Sequence, residues 1–177
     1  MSGIFRKMFP AEYVRSIYDY DFDRAYSDGM RLVLFDIDNT LVPHGAPADQ
    51  RSIGLIGRLK EKGFALSAVS NNKEPRVRTF CDAAGVPYIC DAGKPGTRGY
   101  LEAVQRSGAA KDETIFFGDQ IFTDIIGADR AGIHSVLVRP IDRSTDEIQI
   151  KLKRFIEKPV ITAFFKEKGI AIGDYFN

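Results

Sequence analysis

The 177 residues predict an α/β fold of Rossmann-like, three-layer type, with helices on both faces of a five-stranded parallel sheet. Three observations carry that expectation. Short β-type apolar runs recur at 32–35, 64–69, 86–89, 114–117 and 135–138, segments of helical period separate them, and glycines close the helical segments. Alternation of this kind favours parallel pairing, because each crossover helix returns the chain to the same end of the sheet.

The first run lies in "RLVLFDIDNTLVP", residues 31–43. Val33, Leu34 and Phe35 read as a strand covered on both faces. Asp36 and Asp38 continue its period of two, so their carboxylates are expected on one side. Two like charges that close repel, and the pair implies a metal, a cationic neighbour or a shared proton. The next helix is expected at about 48–62, burying Ile53, Ile56 and Leu59 and ending at Gly63. A second, at about 75–84, turns Val77, Phe80 and Cys81 inward before Gly85. A third, near 97–106, uses Tyr100, Leu101 and Val104 and stops at Gly108. "IIGADRAGI" after Asp124 supplies a short fourth helix before the last strand. Lacking repeats and low-complexity tracts, the chain reads as one domain over 1–177, with 1–28 and 144–177 as terminal helical extensions.

A formal net charge of +1 provides no basic field for nucleic acid. Cys81 and Cys90 show no metal-binding spacing and read as reduced thiols. The absence of a long apolar run predicts a cytoplasmic protein, at most peripheral at a membrane.

Ligands of open parallel sheets bind where the strands end and the loops begin. At those ends stand Asp36 and Asp38, then Ser70 with Asn71 and Asn72, then Asp119 with Asp124 five residues on; Lys94 lies in the "DAGKPGT" loop. Carboxylates, a hydroxyl and an ammonium around one edge suit phosphoryl transfer, in which charge must first be cancelled. Mg²⁺ takes oxygen ligands and tolerates few protein carboxylates, so Asp36, the carbonyl of Asp38 and Asp119 form the expected set, with Asp124 as a further ligand or as an orienter of one. No Cys or His is available near the site, so Asp36 is the expected nucleophile and Asp38 the acid and base. Ser70 and Lys94 are expected on the phosphoryl oxygens, with Thr40, Asn71 and Asn72 as further substrate contacts or as loop-capping groups. His44 and His134 read as structural or exposed, although His44 is near the Asp36 loop.

"DIDNT" at 36–40, Ser70, Lys94 in "KP" and "GDQIFTD" at 118–124 resemble the four ordered motifs of the haloacid dehalogenase superfamily of aspartyl phosphatases. The resemblance implies strand order 5-4-1-2-3, Mg²⁺ and an aspartyl-phosphate intermediate. Cap domains of that superfamily are inserted between its first three motifs. Here the intervals 40–70 and 70–94 each hold one helix and one strand, so the chain looks capless. It is similar over nearly its whole length, "FPAEYVRSI" and "GIHSVLVRP" included, to the YqeG-like group, which in turn resembles mitochondrial phosphatidylglycerophosphate phosphatases. The resemblance thus implies a phosphorylated small molecule or lipid headgroup as substrate. Phosphatases of small soluble esters, and a non-enzymatic phospho-switch on the same fold, are the competing expectations. In 144–158 the residues Ile148, Leu152, Phe155 and Ile156 share one helical side with Lys151, Arg154 and Lys158 around them. That stripe is expected to pack on its own domain, to meet anionic lipid or to form a homo-oligomer contact.

Overall fold

A computed structural model describes residues 5–144, 146 and 148–176; residues 1–4, 145, 147 and 177 of the two terminal stretches lie outside the described residues. Among the described residues, six strands build one all-parallel sheet: β1 (Glu12–Val14), β2 (Leu32–Phe35), β3 (Ala65–Val69), β4 (Tyr88–Ile89), β5 (Thr114–Gly118) and β6 (His134–Val138). Their order is β1-β6-β5-β2-β3-β4. The five expected strands have the expected order, and β1 extends the sheet beyond β6, with Glu12 opposite Val136 and Val14 opposite Val138. The stretch expected to be a helical extension therefore contributes an edge strand. Three residues, "EYV", are too few to show a period, and pairing to β6 decides their conformation. The third expected strand shrinks to Tyr88–Ile89, because Pro87 has no N–H to donate and contributes only its carbonyl, which accepts from Ala68 N at 2.9 Å.

Both faces of the sheet are covered. In β2, Val33 and Phe35 face a core shared with α1 (Phe22–Ser27), α2 (Gln50–Lys62) and α3 (Glu74–Ala84). Leu32 and Leu34 face the opposite core, built with α4 (Arg98–Ser107) and α5 (Ile126–Ala131). A third cluster joins β6 to α6 (Ile148–Lys168) and α7 (Gly173–Phe176) through Leu137, Phe164, Phe165 and Tyr175. Helix α2 starts at an Asp49–Ser52 capping box and ends at Gly63, whose φ of 101° suits glycine. It buries Leu55 where Ile53, half-buried, was expected, and α4 likewise buries Ala103 in place of Leu101. In both helices the inward arc is shifted by one or two residues. Cys81 is buried and Cys90 half-buried, and both thiols are free.

The apolar stripe of α6 does not pack inward. Ile148, Leu152, Phe155 and Ile156 are 85, 62, 74 and 54% exposed. The helix instead turns Glu157, Val160, Ile161, Phe164 and Phe165 toward the domain, and Arg154 is half-buried. Packing on the domain through that stripe is thus excluded. Among the described residues, no helix is long and apolar enough to cross a membrane.

Helix α5 lies so close to α4 that a Cβ on Gly127 would stand 2.6 Å from Tyr100 Oη and 2.7 Å from its Cε2. Tyr100 is fully buried and its hydroxyl donates to Asp124 O at 3.0 Å, so the ring cannot withdraw. Gly127→Ala is expected to lower the urea unfolding free energy by about 1–3 kcal/mol, the usual cost of overpacking. Gly57→Ala, on α2 with nothing within 4 Å of the added carbon, is expected to be neutral or to stabilise by about 1 kcal/mol or less.

Candidate active site

The strand ends open into a cleft of about 160 Å³ lined by Asp36, Asp38, Ser70, Asn71, Asn72, Lys94, Asp124 and, from α6, Ile150 and Lys153. Nothing larger than one helix and one strand stands between Thr40 and Ser70, or between Ser70 and Lys94, and among the described residues no cap domain is inserted there.

Lys94 organises the floor. Its Nζ donates to Asp36 Oδ1 and to Asp124 Oδ1, each at 2.7 Å, and its side chain is 3% exposed. Burial alone pulls an ammonium down, but Asp124 and then Asp36 outweigh it, so Lys94 stays charged with its pKa raised. Burial pushes the Asp36 carboxyl up to about 8; Lys94 opposes the shift, while Asp124 and Asp119 add to it. Asn71 fixes the lysine's loop from the other side, donating through Nδ2 to Lys94 O at 3.0 Å and accepting from Lys94 N at 2.7 Å.

Asp124 reaches the floor from a π-helical turn, Ile121–Ile125, that precedes α5. Its Oδ2 accepts from the backbone N–H groups of Asp119 and Gln120, each at 3.1 Å. A Cβ on Gly118 would lie 2.5 Å from Asp124 Cβ, so only glycine lets the turn fold back this far. Carboxylate oxygens of Asp36, Asp119 and Asp124 lie within 4.8 Å of one another, all buried. Asp119 Oδ2 accepts from Arg154 Nη2, while Asp119 Oδ1 is buried and meets no hydrogen-bond partner among the described residues. Three buried carboxylates that converge, with Asp119 keeping one oxygen unpartnered among the described residues, fit a divalent cation of the Mg²⁺ class. Burial also pushes Asp119 up, to about 6, against the pull of Arg154.

Asp38 does not join that trio. Its Oδ2 accepts from Asn72 Nδ2 at 2.6 Å, and its Oδ1 from Gly45 N at 2.7 Å and Arg76 Nη2 at 2.8 Å. His44 Nδ1 stands 4.0 Å from the same Oδ1. Ser70 is buried and its Oγ accepts from Asn72 N at 3.1 Å. Asn71 and Asn72, expected on substrate, thus have protein partners as well as places in the lining. Thr40 is buried away from the cleft, its Oγ1 without a hydrogen-bond partner among the described residues.

Three residues have no expectation from sequence, Arg76, Asp146 and Glu157, and Arg154 is expected only as one of the cations around the apolar stripe. Arg154 donates to Asp119 and, through Nε, to buried Asp146; Asp146 Oδ1 accepts from Asn39 Nδ2 at 2.8 Å. This chain of bonds joins α6 to the loop that carries Asp36 and Asp38. Only the inward register of α6 reveals it. Arg154 and Glu157 are three residues apart, hence on one face, and opposite the apolar stripe.

A family model for HAD-hydrolase-like proteins matches residues 91–154. The chain is 34% identical over 161 residues to "Probable phosphatase YqeG" of Bacillus subtilis (strain 168), spanning 90% of this chain and 92% of that protein. The chain belongs to the haloacid dehalogenase superfamily. Within it, the chain falls in the YqeG-like group. A more distant relative is the chloroplastic phosphatidylglycerophosphate phosphatase 1 of Chlamydomonas reinhardtii, 29% identical over 140 residues, or 73% of this chain and 52% of that one. The haloacid dehalogenase fold is shared with the cobalt-bound deoxy-D-mannose-octulosonate 8-phosphate phosphatase YrbI of Haemophilus influenzae. Their TM-score is 0.52 at 13% identity, over 84% of this chain and 97% of that one.

Glu157 anchors α6 beneath the site by accepting from Phe122 N at 2.8 Å. Burial pushes its carboxyl from 4.5 up to about 8, the Phe122 N–H and Arg154 opposing only in part. Its proton is therefore held more tightly in the folded chain than in the unfolded one. The stability this contributes is full below about pH 4.5 and is lost as pH rises through about 8. Glu157→Gln keeps the accepting oxygen and removes the titration. Urea titrations are expected to show the variant gaining on wild type by roughly 2–4 kcal/mol between acid pH and pH 9. A gap that does not widen with pH would show that the carboxyl ionises normally.

Proposed function

We propose that this phosphatase of the haloacid dehalogenase family is a Mg²⁺-dependent phosphomonoester hydrolase that works through an aspartyl-phosphate at Asp36. The observation that carries the reading is the buried Lys94 bridging Asp36 and Asp124 beside the orphaned Asp119 Oδ1. Asp36, Asp119 and Asp124 would hold the ion, with the Asp38 carbonyl as the fourth expected ligand. Bound there, Mg²⁺ supplies positive charge that keeps the carboxylates ionised and reduces their repulsion of a phosphate dianion.

Lys94 holds Asp36 Oδ1, which leaves the other carboxylate oxygen to attack phosphorus. As that O–P bond forms, the bond from phosphorus to the leaving oxygen breaks, and Asp38 gives its proton to the departing alcohol. Asp38 then takes a proton from water, whose oxygen attacks phosphorus. The Asp36–phosphorus bond breaks, returning the carboxylate and releasing inorganic phosphate. Asn72, Gly45 and Arg76 fix the direction of Asp38 for both transfers. Ser70 and Lys94 both line the cleft and would act as donors to the equatorial oxygens.

Phosphatidylglycerophosphate is the substrate we favour. The Chlamydomonas relative named for it supports the reading. So does the cleft: at about 160 Å³ it is well below the roughly 300–1,000 Å³ of pockets that enclose a whole small ligand, so it suits a phosphoryl group whose carrier stays outside.

Asp36→Asn is expected to lower p-nitrophenyl phosphate turnover by on the order of 10³-fold or more, and chelation of Mg²⁺ to abolish it reversibly. Intact-mass detection of a transient phosphoryl adduct in wild type, absent from Asp36→Asn, checks the intermediate. Unchanged turnover in Asp36→Asn would remove the mechanism. For substrate, kcat/KM on micellar phosphatidylglycerophosphate is expected to exceed that on soluble glycerol phosphates by about tenfold or more. The reverse ranking would assign a soluble ester.

A further inference from the structure

We propose that the outer face of α6 is a docking surface for an anionic lipid bilayer, placed so that the docked protein holds its cleft at the membrane. The inference rests on the phosphatase reading for its purpose, since a phosphorylated headgroup is what a cleft so held would meet. The surface itself is read from exposure and charge.

Ile148, Leu152, Phe155 and Ile156 follow one another at intervals of four, three and one. At about 100° per residue they share an arc of roughly 100° on one side of the helix. All four are more than half exposed, an unusual concentration, whereas single exposed apolar residues need no explanation. The opposite side of the helix is anchored by Arg154 to Asp119 and Asp146, by Glu157 to Phe122 N, and by Val160 and Ile161 in the third core cluster. The helix therefore cannot roll to bury the stripe without breaking that anchorage.

Charge selects the occupant. Over residues 148–158, Glu157 is buried and Arg154 is paired with two carboxylates, so the charged side chains left to solvent are Lys151, Lys153 and Lys158. They flank the stripe on both sides. A second copy seated face to face on this surface would bring six ammonium groups together, whereas an anionic bilayer supplies the opposite sign and takes up the apolar side chains. Position supplies the last step. Ile150 and Lys153 line the catalytic cleft while their neighbours Lys151 and Leu152 belong to the outer surface, so the stripe and the mouth of the cleft share one short stretch of helix.

Sedimentation with phosphatidylglycerol–phosphatidylcholine vesicles tests this on the full chain, beside pure phosphatidylcholine. Binding to the anionic vesicles only is expected, falling about tenfold or more between about 50 and 500 mM NaCl as the lysines are screened. A Leu152→Ser/Phe155→Ser double variant is expected to lose about tenfold or more in partitioning, and Lys151→Gln/Lys158→Gln to lose severalfold. Both should keep the wild-type thermal transition and p-nitrophenyl phosphate turnover, because none of the four side chains lines the cleft. No binding to anionic vesicles, or binding unaffected by the Leu152/Phe155 pair, would overturn the proposal. So would a wild-type dimer in analytical ultracentrifugation that the same pair dissolves, since a second copy would then cover the stripe. Vesicle binding without phosphatase turnover would support the surface while overturning the reading of the cleft.

Discussion

One ammonium group makes the rest of the site possible. Lys94 is buried and donates to two aspartates at once, Asp36 and Asp124, in a region where a third, Asp119, lies within 4.8 Å. Desolvated carboxylates that close would otherwise protonate or push the strand ends apart. Burial raises the pKa values of both Asp36 and Asp119, and the neighbouring acids add to the shift that the cations beside them oppose. Arg154 takes up part of it at Asp119 Oδ2, and Asp119 Oδ1 is left without a hydrogen-bond partner among the described residues. The residual negative charge is the physical reason the residues fit a divalent cation.

Such a cluster holds its shape only if the backbone around it is fixed. Asn71 clamps the Lys94 peptide by two hydrogen bonds, and two backbone N–H groups grip Asp124 Oδ2. Asn39 is left-handed, with φ of 61°, a conformation that asparagine accepts more readily than most residues. Its side chain accepts from Asp142 N at 3.0 Å and donates to Asp146, tying the loop between Asp36 and Thr40 to the segment that leads into α6. Asn71, which reads from sequence as a substrate contact or a loop-capping group, thus acts first as a rivet between loops, as does Asn39.

These particulars mark what the sequence reveals and what it withholds. Acids at strand ends are legible because strand period and parallel topology both act locally: a run such as "LVLF" dictates where Asp36 must emerge. Lys94 and Asp124 are legible through the spacing of motifs. Strand β1 is not, since three residues carry no period and the neighbour that orders them, β6, is more than a hundred positions away. Arg76 and Arg154 are hidden for a related reason. An arginine on an amphipathic helix looks like any solvated cation until its azimuth is known. For α6 the apolar stripe points to the wrong inward face, because apolar side chains are normally the buried ones.

The inversion of α6 follows from the site rather than from the core. Asp119 takes its cation on Oδ2 from the Arg154 guanidinium, and the helix that carries it packs on β6 and the 121–125 turn. Once Arg154 is committed to Asp119 and Asp146, helical geometry fixes every other residue of the first three turns. Glu157 falls inward, where it finds Phe122 N, and residues 148, 152, 155 and 156 fall outward whatever their polarity. In a protein whose surface had only to be soluble, those outward positions would carry polar side chains at no structural cost. That they carry two isoleucines, a leucine and a phenylalanine, with lysines on either side, is a choice that neither the fold nor the catalytic cluster requires. The anionic bilayer proposed for that face would supply the second physical demand.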